Sequence, residues 1–157
     1  MIPRATVAAA TVAALMAGPV LAQNYSRNPS FGTLNLSANF MPDPQVVNVT
    51  AGGNIPAERL GGANCVGTIA DAPDVRLNYR AGQGLPLYIS VRSNADTTLV
   101  INLPNGRWIC NDDFDGLNPG IVFTHPMSGQ YDIWIGHYDR GRRVPAQLLI
   151  SEIPPRR

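Results

Sequence analysis

The stretch Leu85-Pro86-Leu87-Tyr88-Ile89-Ser90-Val91-Arg92 sets the fold class, together with Thr97-Thr98-Leu99-Val100-Ile101-Asn102-Leu103 beyond the turn Ser93-Asn94-Ala95-Asp96. Leu85, Leu87, Ile89 and Val91 alternate with Tyr88, Ser90 and Arg92, and Leu99, Ile101 and Leu103 repeat that spacing. Neighbouring side chains of a strand point to opposite faces, so a hydrophobic period of two marks a pleated segment with one buried face. The second run ends on Pro104-Asn105-Gly106, whose residue types favour a tight turn. Outward from this centre the pattern recurs. Val47 and Val49 precede Gly52-Gly53, and Val75, Leu77 and Tyr79 precede Ala81-Gly82. Further short runs are Arg107 to Cys110, Ile121 to Phe123, Gln130 to Gly136 and Ala146 to Ile150. Most gaps are too short for the crossovers of a parallel sheet. The expectation is an all-β fold, an antiparallel sandwich or barrel of about eight strands. The long irregular stretch Gly52 to Ala63 leaves room for one helical turn at Pro56-Ala57-Glu58-Arg59.

Composition narrows the class. The chain has 157 residues, room for one core of ordinary size. Its 12 basic residues are all Arg and its 11 acidic residues are nine Asp and two Glu, for a net charge of +1. So even a balance provides no electrostatic footprint for a phosphate backbone, and nucleic acid is excluded as a dedicated partner. Fifteen Gly, 14 Pro, two Glu and no Lys also disfavour a helical protein.

The first residues read as a secretory leader. Arg4 supplies a positive start, Ala5 to Met16 an apolar run, Gly18-Pro19 a break, and Val20-Leu21-Ala22 a small-residue cleavage pattern before Gln23. The expected layout is a signal peptide over 1–22, a flexible lead-in over 23–30, a β-sandwich domain over 31–153 and a tail over 154–157. The mature chain is then neutral, periplasmic or secreted, with no membrane span after cleavage. In an oxidising compartment Cys65 and Cys110 are the obvious disulfide pair. They stand 45 positions apart, and closing such a loop stabilises the fold by about 4 kcal/mol in the chain-entropy model.

The segment Asn111-Asp112-Asp113-Phe114-Asp115-Gly116-Leu117-Asn118 concentrates the chain's charge. Three carboxylates within four positions repel unless a cation or arginines compensate. Asn111, Asp113 and Asp115 match the front half of an EF-hand loop, but Val122 stands where its bidentate Glu belongs, so an EF-hand is rejected. Calcium remains a candidate cofactor, with Asp96, Asn111, Asp112, Asp113, Asp115 and Asn118 as oxygen ligands. The competing reading is that Asp, Asn and Gly make good turns by capping local backbone N–H groups.

At these residues the chain resembles a known family. Asp96-Thr97-Thr98-Leu99, Pro104-Asn105-Gly106, Asn111-Asp112-Asp113, Leu117-Asn118-Pro119, Ser128-Gly129-Gln130-Tyr131 and Ile133-Trp134-Ile135-Gly136 resemble the motifs of the bacterial pre-peptidase C-terminal domain. The resemblance runs from about Leu77 to Ser151. It implies a jelly-roll-like β-sandwich, exported, non-catalytic and usually appended to secreted peptidases, with structural calcium and matrix-protein binding in some relatives. No peptidase domain accompanies it in this chain.

Catalytic constellations are thin. The two histidines, His125 and His137, sit at separate strand ends, and no serine lies in a G-x-S-x-G elbow. Asp112, Asp113 and Asp115 are too close in sequence for a separated acid and nucleophile. A small secreted hydrolase is therefore the alternative to a binding module, and a structural envelope protein a third reading. By strand parity Tyr88 and Trp134 leave the core face, which makes them a possible ligand platform for a protein or polysaccharide unless another segment covers them. The turn Arg140-Gly141-Arg142-Arg143 reads as a solvated hairpin tip.

Overall fold

The alternating runs become strands whose apolar sides meet in one core. The computed structural model describes residues 24–155. Among these, nine strands have four or more residues: β1 (Thr33–Ser37), β2 (Gln45–Ala51), β5 (Val75–Arg80), β6 (Leu87–Arg92), β7 (Thr97–Asn102), β8 (Trp108–Asn111), β9 (Gly120–Phe123), β10 (Gly129–His137) and β11 (Val144–Ser151). Two-residue strands β3 (Ile55–Pro56) and β4 (Thr68–Ile69) bring the total to eleven, against about eight expected. The proposed leader, 1–22, lies outside the described residues.

Two sheets form a mostly antiparallel sandwich. In the larger, β10 is the spine: β7 and then β8 lie on one side, β5 and then β1 on the other, with β4 and β3 at its far end. The smaller sheet runs β2-β11-β6-β9. One pairing departs from the antiparallel expectation, because β1 runs parallel to β5, Leu34 opposite Leu77 and Leu36 opposite Tyr79. The chain between them visits the smaller sheet as β2 before returning, which supplies the long connection a parallel pair demands. Between the sheets, Leu77, Leu99, Ile101, Tyr131, Ile133 and Ile135 meet Leu87, Ile89, Leu148 and Ile150, all buried.

From β5 onward the chain keeps changing sheets. Only β7 and β8 are joined as a hairpin within one sheet, through Pro104-Asn105-Gly106, where the Arg107 carbonyl accepts from the Leu103 N–H. The arginine-rich turn expected to tip a hairpin instead carries the chain from β10 in one sheet to β11 in the other. Ladder pairing is lost at such crossings, so local composition alone could not separate the two cases.

Three polar side chains, Asp74, Glu152 and Arg76, hold the irregular parts. Asp74 accepts a hydrogen bond from the Ile135 N–H at 2.7 Å, extending the β5–β10 ladder with a side chain. Burial pushes its carboxyl up to about 7, while that N–H and the Arg143 charge pull the other way. Glu152 accepts from the Tyr79 hydroxyl at 2.6 Å and from the Asn39 N–H at 2.7 Å. Burial and this carboxylate together push the Tyr79 hydroxyl's proton affinity up. Arg76 donates to Asp132 at 2.7 Å and also to the carbonyls of Tyr25 and Arg27. Residues 24–30, expected as a flexible lead-in, are thus tied to the larger sheet, with Arg27 paired to Asp71 and the Ser30 N–H donating to the Pro73 carbonyl.

Candidate functional site

Each sheet has an outer face, and the chain treats the two differently. On the larger sheet, Trp134 of β10 and Val100 of β7 point outward, opposite each other in register. The segment 55–69 folds over them. Its single 3-10 turn, Ala57–Leu60, falls where Pro56 to Arg59 was expected to hold one. Ala57, Ile69, Cys65, Val100 and Trp134 form a second buried cluster, with Trp108 and Cys110 at its margin. The Cys65–Cys110 disulfide joins this roof to β8, and the Trp108 and Trp134 rings lie 5.2 Å apart. Gly136 allows the close approach: a Cβ there would stand 2.8 Å from the Thr68 carbonyl and 2.4 Å from the Thr98 side chain. Trp134 is fully buried. The platform expectation therefore fails for Trp134, because outward from the core is here inward to a second core. Tyr88 belongs to the other sheet altogether.

Among the described residues, no segment roofs the outer face of the smaller sheet in this way. Tyr88, Ser90 and Arg92 of β6 stand beside Leu149 and Gln147 of β11. A cleft of about 240 Å³ is lined by Tyr88, Ser90, Arg92, Phe114, Asp115 and Leu149, among others. A second cavity of about 370 Å³ shares Ser90, Arg92, Leu149, Pro154 and Pro155 with it and reaches Asp43 and Ile153. The two make one groove along β6 and β11. Phe114 walls it because Gly120 lacks a side chain: a Cβ there would lie 2.7 Å from the ring. Sequence reasoning missed this wall, since Phe114 read only as part of an acidic turn.

The acidic turn is the crossing from β8 to β9, and the β6–β7 and β10–β11 crossings meet it at the same end. The Leu117 carbonyl accepts from the Thr97 N–H, and the Asp96 carbonyl from the Tyr138 N–H. Asp96 therefore lies beside the loop: burial, and then the charges of Asp113 and Asp112, raise its proton affinity, against His137. The six candidate calcium ligands divide into two kinds. Asn111 Oδ1 accepts from the Gly120 N–H at 2.9 Å and Asn118 Oδ1 from the Ser93 N–H at 2.8 Å, so both amides cap backbone. Asp115 and Asn118 form an isolated bridge, which closes the turn, and Asp115 lines the groove. Asp96, Asp112 and Asp113 remain as mutually repelling carboxylates. Among the described residues no group of three His, Cys, Asp or Glu side chains is placed to hold a metal ion.

His137 is buried rather than on the surface, its Nδ1 within 2.9 Å of the Asp139 backbone. His125 pairs with the adjacent Thr124 hydroxyl at 3.2 Å. Among the described residues neither ring is hydrogen-bonded to a serine.

The fold and groove define a disulfide-linked β-sandwich domain with one sealed and one open sheet face. No family model and no curated protein matches the chain. Among solved structures, the chain is similar to the pre-peptidase C-terminal domain of a collagenase from Bacillus anthracis, at 12% identity and TM-score 0.46, covering 80% of this chain and 100% of that one. It is also similar to PliG of Aeromonas hydrophila, a periplasmic inhibitor of g-type lysozyme, at 16% identity and TM-score 0.39, covering 76% of this chain and 96% of that one.

Proposed function

We propose that this chain is an exported, non-catalytic accessory domain that binds its partner through the open face of the smaller sheet. The observation that carries the reading is the groove itself: a concave, partly apolar surface with a few polar side chains, the form ligand sites take. The leader-like residues 1–22 and the disulfide support export to the periplasm or beyond. The hydrolase alternative receives no support from His137, whose Nδ1 is already taken up by backbone.

The test uses immobilised protein and an envelope and extracellular extract of the source organism. Retention of a partner by the wild type, lost in a Tyr88→Ala/Arg92→Ala variant of unchanged melting temperature, is the expected result. Equal retention by both proteins would refute the open-face reading.

Calcium stabilisation belongs to the same proposal as a subordinate part. The charges of Asp113 and Asp112 raise the cost of ionising Asp96, and a divalent cation would relieve it. Calcium is expected to raise the melting temperature of the wild type and leave Asp113→Asn unmoved; a wild-type melt indifferent to calcium and chelator would eliminate this part.

A further inference from the structure

We infer that the groove on the smaller sheet's outer face takes an uncharged pyranose glycan, with Tyr88 and Phe114 as its aromatic contacts and Arg92, Ser90 and Asp115 as partners for its hydroxyls. The inference rests on the open-face reading and names the ligand class for it.

The argument is one of chemical complementarity. A pyranose ring has apolar C–H faces and a rim of hydroxyls, each both donor and acceptor. A matching site needs an aromatic surface and a mixture of donors and acceptors beside it. The first cleft has both: two aromatic rings and Leu149, with Arg92, Ser90 and Asp115 among the same lining residues. A guanidinium only donates, a carboxylate only accepts, and a hydroxyl does both. Among the described residues the side chains of Tyr88, Ser90, Arg92 and Asp115 carry no hydrogen bond or ion pair. Their hydrogen-bonding capacity is therefore free for a ligand.

Other ligand types fit less well. An apolar helix laid in the groove would strip water from Arg92 and Asp115 without replacing it, at a cost for each unpaired charge. An anion meets Asp115 in one cavity and Asp43 in the next, and a cation meets Arg92 in both. A neutral polyhydroxylated chain avoids all three penalties. The continuity of the two cavities suits a segment of several rings over a single sugar.

The experiment follows amide resonances of the full-length ¹⁵N-labelled protein during titration with cellotetraose, the N-acetylglucosamine tetramer and maltotetraose. Saturable shifts centred on Tyr88, Ser90, Arg92 and Asp115 are expected with at least one probe. Tyr88→Ala and Arg92→Ala should each weaken that affinity about tenfold, roughly one aromatic or charge-assisted contact. Gly120→Ala removes no groove side chain but displaces Phe114, and should weaken it several-fold. Three flat titrations up to about 10 mM, an affinity weaker than about −3 kcal/mol, overturn the inference. So do shifts that persist unchanged in Tyr88→Ala and Arg92→Ala. If the glycans fail but a protein from the extract is retained through Tyr88 and Arg92, the glycan inference falls and the open-face reading stands. If neither is retained, both fall.

Discussion

Trp134 and Tyr88 hold the same kind of position, each on the outward side of a strand whose alternate residues build the central core, yet they end in opposite surroundings. Trp134 is roofed by residues 55–69 and the Cys65–Cys110 bridge, and Tyr88 lies half-buried at the edge of an open groove. A large aromatic facing away from one core is thus either a surface for a ligand or the seed of a second core. Which it becomes depends on whether the chain spends a segment to cover it. Here the cover is expensive in sequence: a 3-10 turn, two short strands, close-approach glycines and both cysteines serve it. Covering also leaves the Trp134 indole N–H without a partner among the described residues. Among the described residues no comparable segment lies over β6 and β11.

Substitution at the two aromatics is the direct way to break this contrast. Trp134→Ala should cost about 3–5 kcal/mol in urea unfolding, as large aromatic truncations in packed cores do. Tyr88→Ala, made alongside it, should change stability much less. Equal losses at the two sites would abolish the distinction between sealed and open faces.

Reduction of the disulfide sharpens it. Cys65→Ser/Cys110→Ser should destabilise the domain by about 4 kcal/mol, because the unfolded chain regains the freedom of a long loop. Since the roof loses its tie, tryptophan emission should shift to the red before the sandwich itself unfolds. An unfolding curve with no separate early fluorescence change would place the roof and the sandwich in a single cooperative unit.

A third test addresses how the larger sheet was closed. Asp74 has its folded-state proton affinity raised, so the native state holds the proton at pH values where the unfolded chain has released it. Its contribution is fully present below about pH 4, the carboxylate's ordinary range, and is lost as pH rises towards about 7. The slope should reach about 1.4 kcal/mol per pH unit within that window. Asp74→Asn should remove this slope in chemical denaturation measured from pH 4 to 8; an identical slope in the variant would assign it to other groups.

The smallest expected effect lies on the open face. Arg92→Ala should alter stability by no more than about 0.5 kcal/mol, the usual range for a surface side chain outside any network. A loss several times larger in thermal unfolding would mean that Arg92 supports the fold and is not held ready for a ligand.

Legibility followed the range of the interactions. Strand positions around Leu87–Val91 and Leu99–Leu103 were readable because period two is local. The disulfide was readable because the chain has two cysteines and a leader-like first stretch of sequence, which together suit an oxidising compartment. The proximity of Asp96 to Asp112 and Asp113 was foreseeable only as a condition, that two loops share an end. The arginine turn reads as a hairpin tip, yet the same Gly and Arg residues suit the crossing between sheets that it makes. Asn111 and Asn118 looked like ligands, but each side-chain oxygen takes a backbone N–H from a different segment. Phe114 escaped notice because its place depends on Gly120, the residue it lies against.

By itself, the sequence determined the pleated class of the fold, its central core, its sulfur bridge and its uncommitted charge balance, all of which follow from side-chain period and composition. Tertiary structure alone decided which outward face would be closed, which asparagines would serve the backbone, and which polar groups would be left free beside an apolar floor. The physical reason is that burial and hydrogen-bond satisfaction are properties of what arrives from elsewhere in the chain, and a strand's own alternation carries no record of what will be laid across it.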